Sequence, residues 1–184
     1  MRIVLDRQMA LVLALLAGGC ATVSVKTDSD PTVDFSRYRT VQVLGGRLIV
    51  DGHSDDGNTL VKDRITKEIV ANLTAKGLQP VPSGGDLLAT FVAGARTVTE
   101  IEATGPWDGL GPFWGRRGWW GPVYYDWWTR QYVKGTLVID LIDAATKKLV
   151  WRAYAEADIK SPDAADLIAK AVRKAFARYP AASK

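Results

Sequence analysis

Hydrophobic and polar positions follow recognisable periods along most of this chain, and the periods name its elements. Val23 and Val25 alternate with polar neighbours in "ATVSVKTDSD", a first strand whose exit is marked by Asp28, Asp30 and Pro31. The run "YRTVQVL" (38–44) reads as a second strand, and the polar, glycine-bearing stretch from Leu44 to Asn58 reads as loop. Val61, Ile65, Ile69 and Leu73 then recur every four residues, which places them on one helical face with Lys62, Lys67 and Glu68 turned to water. Asn58 is the expected cap of that helix. Gly77 is expected to end it in the left-handed conformation that glycine takes freely, with Leu78 folding back on the last turn.

After "PVPSGG", the stretch from Asp86 to Ile101 reads as a long strand. Further on, "QYVKGTLVIDLID" and "KLVWRAYAEAD" form two more strands around "AATKK", most simply a β-hairpin. Leu137, Ile139 and Leu141 share one face of the first, and Trp151, Ala153 and Ala155 share the matching face of the second. If these faces pair, Leu141 lies opposite Trp151 and Asp140 opposite Arg152; a slip of one residue would turn every core side chain to solvent. The last helix opens at "SPD", with Ser161 as cap and Pro162 in the first turn. Its buried stripe is Leu167, Ile168, Ala171, Val172, Ala175, Phe176 and Tyr179, and Pro180 stops it.

This order predicts an α+β fold: an antiparallel or mixed β-sheet with two helices on one face, plus a long Gly/Trp-rich loop. The segment from the second strand through the first helix to the third strand could also form a parallel crossover, and the sequence leaves strand order open. Composition agrees with one domain. The 184 residues are 47% hydrophobic and 24% charged, enough for a single core that buries about 70% of the unfolded surface. A net charge of +4, with basic residues scattered among acids, argues against a nucleic-acid partner.

Between the long strand and the hairpin the periodicity fails. From Gly105 to Trp128 there are six tryptophans, six glycines and three prolines, and the irregular insertion is expected to span 105–130. Six indoles offer on the order of 1,000 Å², more than the roughly 300–600 Å² patch a typical monomer exposes. Something must cover them. The segment could fold over its own sheet, lie in a lipid headgroup layer, or stack on a glycan or grip a partner protein. The candidate binding surface is Trp107, Trp114, Arg116, Arg117, Trp119, Trp120, Tyr124, Tyr125, Trp127 and Trp128.

The first nineteen residues read as an export signal: two arginines against one aspartate up to Gln8, then the apolar run Met9 to Ala17, too short to span a bilayer. The chain's only cysteine, Cys20, follows directly in "LLAGGCAT". This stretch resembles the lipobox of bacterial lipoproteins. The resemblance implies cleavage before Cys20 and attachment of a diacylglycerol and a further fatty acyl chain such as palmitate, with residues 20–184 as the mature domain. Two or more acyl chains hold a protein stably on a membrane, at roughly 0.8 kcal/mol per buried methylene. Ala21 resembles the residue of lipoproteins forwarded to the outer membrane, so the expected location is that membrane's periplasmic side.

The combination "DFSRYRTVQV" (34–43), "ITKEIVANLTAKGLQP" (65–80) ahead of Asp86, and "YVKGTLVIDLIDAATKKLVWRAYAEADI" (132–159) resembles the bacterial envelope lipoproteins grouped as domain of unknown function 4136. Such proteins commonly carry a Gly- and Trp-rich insertion before the hairpin. The resemblance implies location and fold and carries no catalytic residue.

Candidate chemistry is sparse. With His53 the only histidine and Cys20 committed to lipid, neither a Ser-His-Asp nor a Cys-His arrangement can be assembled. Asp51, His53, Asp55 and Asp56 cluster in "DGHSDDGN", yet their spacing matches neither a calcium loop nor a zinc ligand set, and no metal or other cofactor is expected. Asp108 and Asp126 flank the aromatic segment as glycosidases flank a sugar with two acids. The expected function is therefore a lipid-anchored, non-catalytic binding or structural module, bound to membrane and in contact with an envelope protein or peptidoglycan. A cell-wall glycan enzyme or accessory subunit is the alternative.

Overall fold

The computed structural model describes residues 22–55, 57–104, 126–159 and 164–180. Seven strands form one mixed sheet: β1 (Val23–Ser29), β2 (Thr40–Val50), β3 (His53–Ser54), β4 (Gln79–Pro80), β5 (Leu87–Thr104), β6 (Asp126–Asp143) and β7 (Leu149–Ile159). The strand order is β1-β7-β6-β5-β2-β3, with β4 beside β2. β2 and β5 run parallel and the other long pairs antiparallel. The parallel crossover, left open by the sequence, is thus the one that forms. Two helices, α1 (Thr59–Ala75) and α2 (Ala164–Phe176), cover one face and complete the expected α+β fold.

The hairpin register follows the core stripe. Leu141 pairs with Trp151 and Asp140 with Arg152. One extra residue, Val150, sits in β7 between Leu141–Trp151 and Ile142–Leu149, a bulge that lets both Val150 and Trp151 be buried. Leu87, Ala89 and Phe91 of β5, Leu137, Ile139 and Leu141 of β6, and Trp151, Ala153 and Ala155 of β7 form the sheet half of the core. Against them α1 lays Ile65, Ile69 and Leu73, and α2 lays Ala171, Val172, Ala175 and Phe176. Trp151 stacks on Phe176 with centroids 5.2 Å apart, and Tyr179 meets Trp151 edge-on at 5.7 Å.

The ends of α1 form as the sequence predicts. Asn58 Oδ1 accepts from Val61 N at 3.3 Å. At the other end Gly77 has φ +87°, Gly77 N donates to Thr74 O and Leu78 N to Leu73 O, and Leu78 is buried. These are the two bonds of the Schellman motif. The expected caps of α2, Ser161 and Pro162, lie outside the described residues.

Two expectations are corrected. The stretch from Leu44 to Asn58 is not all loop, because β2 continues to Val50 and turns into β3. An extra residue between Val43 and Gly46 shifts the register, and Gly46 lies so close to β5 that a Cβ there would stand 2.3 Å from Phe91 O. The tight turn is made by Asp51 (φ +46°) and Gly52 (φ +84°), the left-handed pair that an Asp-Gly hairpin turn uses. The irregular insertion also ends earlier than 130. Asp126 to Arg130 belong to β6 and pair with Glu100 to Thr104, while residues 105–125 lie outside the described residues.

Candidate functional site

One row of pairs crosses the whole sheet: Val23–Ala157–Gly135–Ala95–Val50. The chain enters β1 at this row, since β1 runs from Val23 toward Ser29, which pairs with Trp151. At the same row β2 gives out, and β7 ends two pairs beyond, at Ile159–Val133. Only β5 and β6 continue. From Val98–Tyr132 to Thr104–Asp126 they form a two-stranded ribbon with no third strand among the described residues, about 20 Å long at ~3.4 Å per residue. The ribbon places the backbone of Trp127 opposite Ala103 and of Trp128 opposite Glu102. Trp107, Trp114, Arg116, Arg117, Trp119, Trp120, Tyr124 and Tyr125 lie outside the described residues, between the two ribbon strands in sequence. Cys20 also lies outside them, three residues before Val23.

At this end of the molecule the helix layer and the sheet part. Large side chains fill the core at Phe91, Ile139 and Trp151, but two rows on, the sheet floor shrinks to Ala93, Ala95, Gly135, Ala155 and Ala157 around the single larger side chain of Leu137. The roof above is Val61 and Ile65 of α1 with Leu167, Ile168 and Ala171 of α2, and Val23, Leu48 and Ile159 close the sides. Between them is a half-open, apolar cavity of about 210 Å³. Sequence reading missed it. The available signal was the run of small residues "AGA" at 93–95 and alternating alanines at 153–157, where larger side chains would otherwise fill the space between layers.

Polar groups on the cavity rim are mostly engaged. Glu156 accepts from Lys134 Nζ at 2.7 Å and from Tyr154 Oη at 2.7 Å, and these donors hold its carboxyl below the usual range. Asn58 is spent on its helix cap. Asp55 remains on the rim with its backbone N bonded to Leu48 O.

The opposite end carries the most strongly perturbed acid among the described residues, one not singled out from the sequence. Asp143 is buried and accepts from Tyr38 Oη (2.8 Å), Thr146 N (2.8 Å), Thr146 Oγ1 (3.0 Å), Ala145 N (3.0 Å) and the Arg37 guanidinium. Hydrogen bonds from the Thr146 backbone and from Tyr38 hold its carboxyl well below the ordinary value. With five donors on two oxygens, Asp143 ties the β6–β7 turn to the segment before β2 and is a poor proton donor. Asp86 does a similar job at the start of β5. Its Oδ2 accepts from Arg39 N and Thr40 N, both at 2.9 Å.

The acidic loop resolves into turn chemistry. Asp51 Oδ1 accepts from Thr97 N at 2.9 Å, and His53 Nδ1 lies 3.1 Å from Asp51 O. Among the described residues no three His, Cys, Asp or Glu side chains gather as a metal site, and no helix is long and apolar enough to cross a membrane.

Residues 25–181 match the family model described as domain of unknown function DUF4136. Among solved structures, the chain is similar to a DUF4136 family protein from Bacteroides thetaiotaomicron, at 18% identity over 88% of this chain and 97% of that one, with a TM-score of 0.54. It is also similar to a PDZ domain protein from Parabacteroides distasonis, at 17% identity and TM-score 0.55, covering 96% of this chain and 41% of that one. The chain therefore spans less than half of that second protein. At these identities the likeness is one of fold alone. No curated protein matches the chain.

Proposed function

We propose that this chain, which belongs to the DUF4136 domain family, is a lipid-anchored, non-catalytic envelope module held on the periplasmic side of the outer membrane by acyl chains on Cys20, with its aromatic segment turned to that membrane. One observation carries the reading: the chain enters the sheet at the end from which the β5–β6 ribbon departs toward the aromatic segment, three pairs before that ribbon begins. Three residues reach at most about 10 Å, so a membrane holding Cys20 lies against that end of the sheet. Indoles are stable in a headgroup layer, where Arg116 and Arg117 meet anionic groups. The other end supports a non-catalytic role, because the perturbed acid there is saturated by its own turn and by Arg37 and Tyr38.

Fractionation of cells producing the full chain tests the anchor. Wild type is expected in the membrane pellet and Cys20→Ser in the soluble fraction; equal distribution of the two would remove the anchor. The orientation is tested separately on the soluble Cys20→Ser form with vesicles containing phosphatidylglycerol. Tryptophan emission is expected to shift blue, and the shift to be lost in Trp119→Ala/Trp120→Ala. An unchanged spectrum would remove the membrane-facing role of the aromatic segment and leave the anchor standing.

A further inference from the structure

We infer that the cavity between the helix layer and the Ala/Gly floor of the sheet is a binding site for a single phospholipid acyl chain, entered from the end of the sheet where the ribbon departs. The lining sets the chemistry. Val23, Leu48, Val61, Leu137, Leu167 and Ile168 surround the space with carbon, so a ligand finds almost no hydrogen-bond partner along its length, which suits hydrocarbon and excludes sugars and nucleotides. At about 210 Å³ it exceeds the roughly 150 Å³ apolar cavity that stays dry and binds benzene.

The hollow comes from sequence choices on β5, β6 and β7 together. The same face that carries Phe91, Ile139 and Trp151 carries, apart from Leu137, only Ala93, Ala95, Gly135, Ala155 and Ala157 at the open end. One leucine among these five positions would close it. A Cβ at Gly135 would stand 2.8 Å from Ile159 Cδ1, so a larger residue there would have to displace the Ile159 side chain.

The rim sets the head. Glu156 is neutralised by Lys134, and Asp55 is the other acid among the lining residues. A head group bearing an amine, as in phosphatidylethanolamine, is complementary to that rim. The site stands on geometry alone and holds whether or not Cys20 is acylated.

The test uses residues 20–184 with Cys20→Ser, a form that keeps every described residue of the fold. Nile red is displaced by myristoyl lysophosphatidylethanolamine below its micelle concentration, with glycerophosphoethanolamine, the head without the tail, as control. The expected result is stoichiometric displacement by the lipid and none by the head alone. Ala93→Leu is expected to weaken lipid binding at least tenfold while its melting temperature is unchanged or raised, because it fills a void. Ala95→Leu is the second filling variant should the first fold poorly. A chain lacking residues 105–125 is expected to bind as the full one does. The inference is overturned if the wild type takes no lipid, if the filled variants bind as well as the wild type, or if the head alone binds. It is equally overturned if deleting 105–125 abolishes binding, which puts the lipid on the aromatic segment, or creates it, which makes that segment the occupant.

Discussion

Replacing Tyr179 with phenylalanine should stabilise the protein, although it removes a polar atom from a residue at the centre of the aromatic cluster. The ring is 7% exposed and meets Phe35 edge-on at 5.5 Å and Trp151 at 5.7 Å. Its hydroxyl is buried without a hydrogen-bond partner among the described residues. Such a group costs about 1–3 kcal/mol of desolvation, and Tyr179→Phe keeps the ring while removing that cost. For a domain of this size each kcal/mol moves the melting temperature by about 2–4 °C, so a rise of several degrees at pH 7 is expected. A second consequence appears in alkali. Burial pushes the Tyr179 phenol up to about 12, whereas the unfolded chain ionises near 10. The folded state therefore keeps the proton longer, and stability fully present below pH 10 is lost as pH rises toward 12. The loss attributable to this residue is on the order of 2–3 kcal/mol. Urea unfolding of wild type and Tyr179→Phe between pH 7 and 11 measures the first effect and about half of the second, which is complete only above pH 12, and the difference between the curves cancels the other tyrosines. A variant less stable by a kcal/mol or more at pH 7 would show that the hydroxyl is hydrogen-bonded and refute the reasoning.

Asp143 titrates in the opposite sense: its folded-state carboxyl is held below the ordinary value, so its stabilisation is present above about pH 4 and lost as pH falls. In acid melts Asp143→Asn should flatten that dependence and lower the melting temperature at pH 7. Gly46→Ala forces a Cβ to 2.3 Å from Phe91 O and should cost about 3 kcal/mol or more in a denaturant titration, at the upper end for overpacking. Phe176→Ala removes the stacked partner of Trp151 and should cost about 3–5 kcal/mol. A double-mutant cycle on Asp140 and Arg152, joined by two hydrogen bonds of 2.6 and 2.7 Å but exposed on the arginine side, should return under about 1 kcal/mol.

Where two periodic faces had to meet, the sequence was sufficient. The Leu137–Ile139–Leu141 stripe could pair with Trp151–Ala153–Ala155 in one register only, and α1 declared both its ends through Asn58 and Gly77. Beyond Leu44 the reading failed for a physical reason. The bulge at Gly45 and Gly46 breaks the period-2 pattern, and the turn signal Asp51-Gly52 then sits inside a polar stretch that looks like loop. The same logic hid Asp126 to Arg130, whose aromatic composition masks a strand fixed by pairing with Glu100 to Thr104. Asp143 was invisible because its partners come from residues about a hundred positions earlier in the chain as well as from its own turn. The cavity was invisible because small residues signal nothing until the layers above and below them are known.

The anchor at Cys20 is the premise on which the membrane-facing orientation rests, and the intact mass of the protein purified from its native membrane tests it most directly. The account predicts a chain beginning at Cys20 and heavier than residues 20–184 by a diacylglycerol and a fatty acyl group. A mass equal to the unmodified polypeptide, from whichever residue it begins, would contradict it.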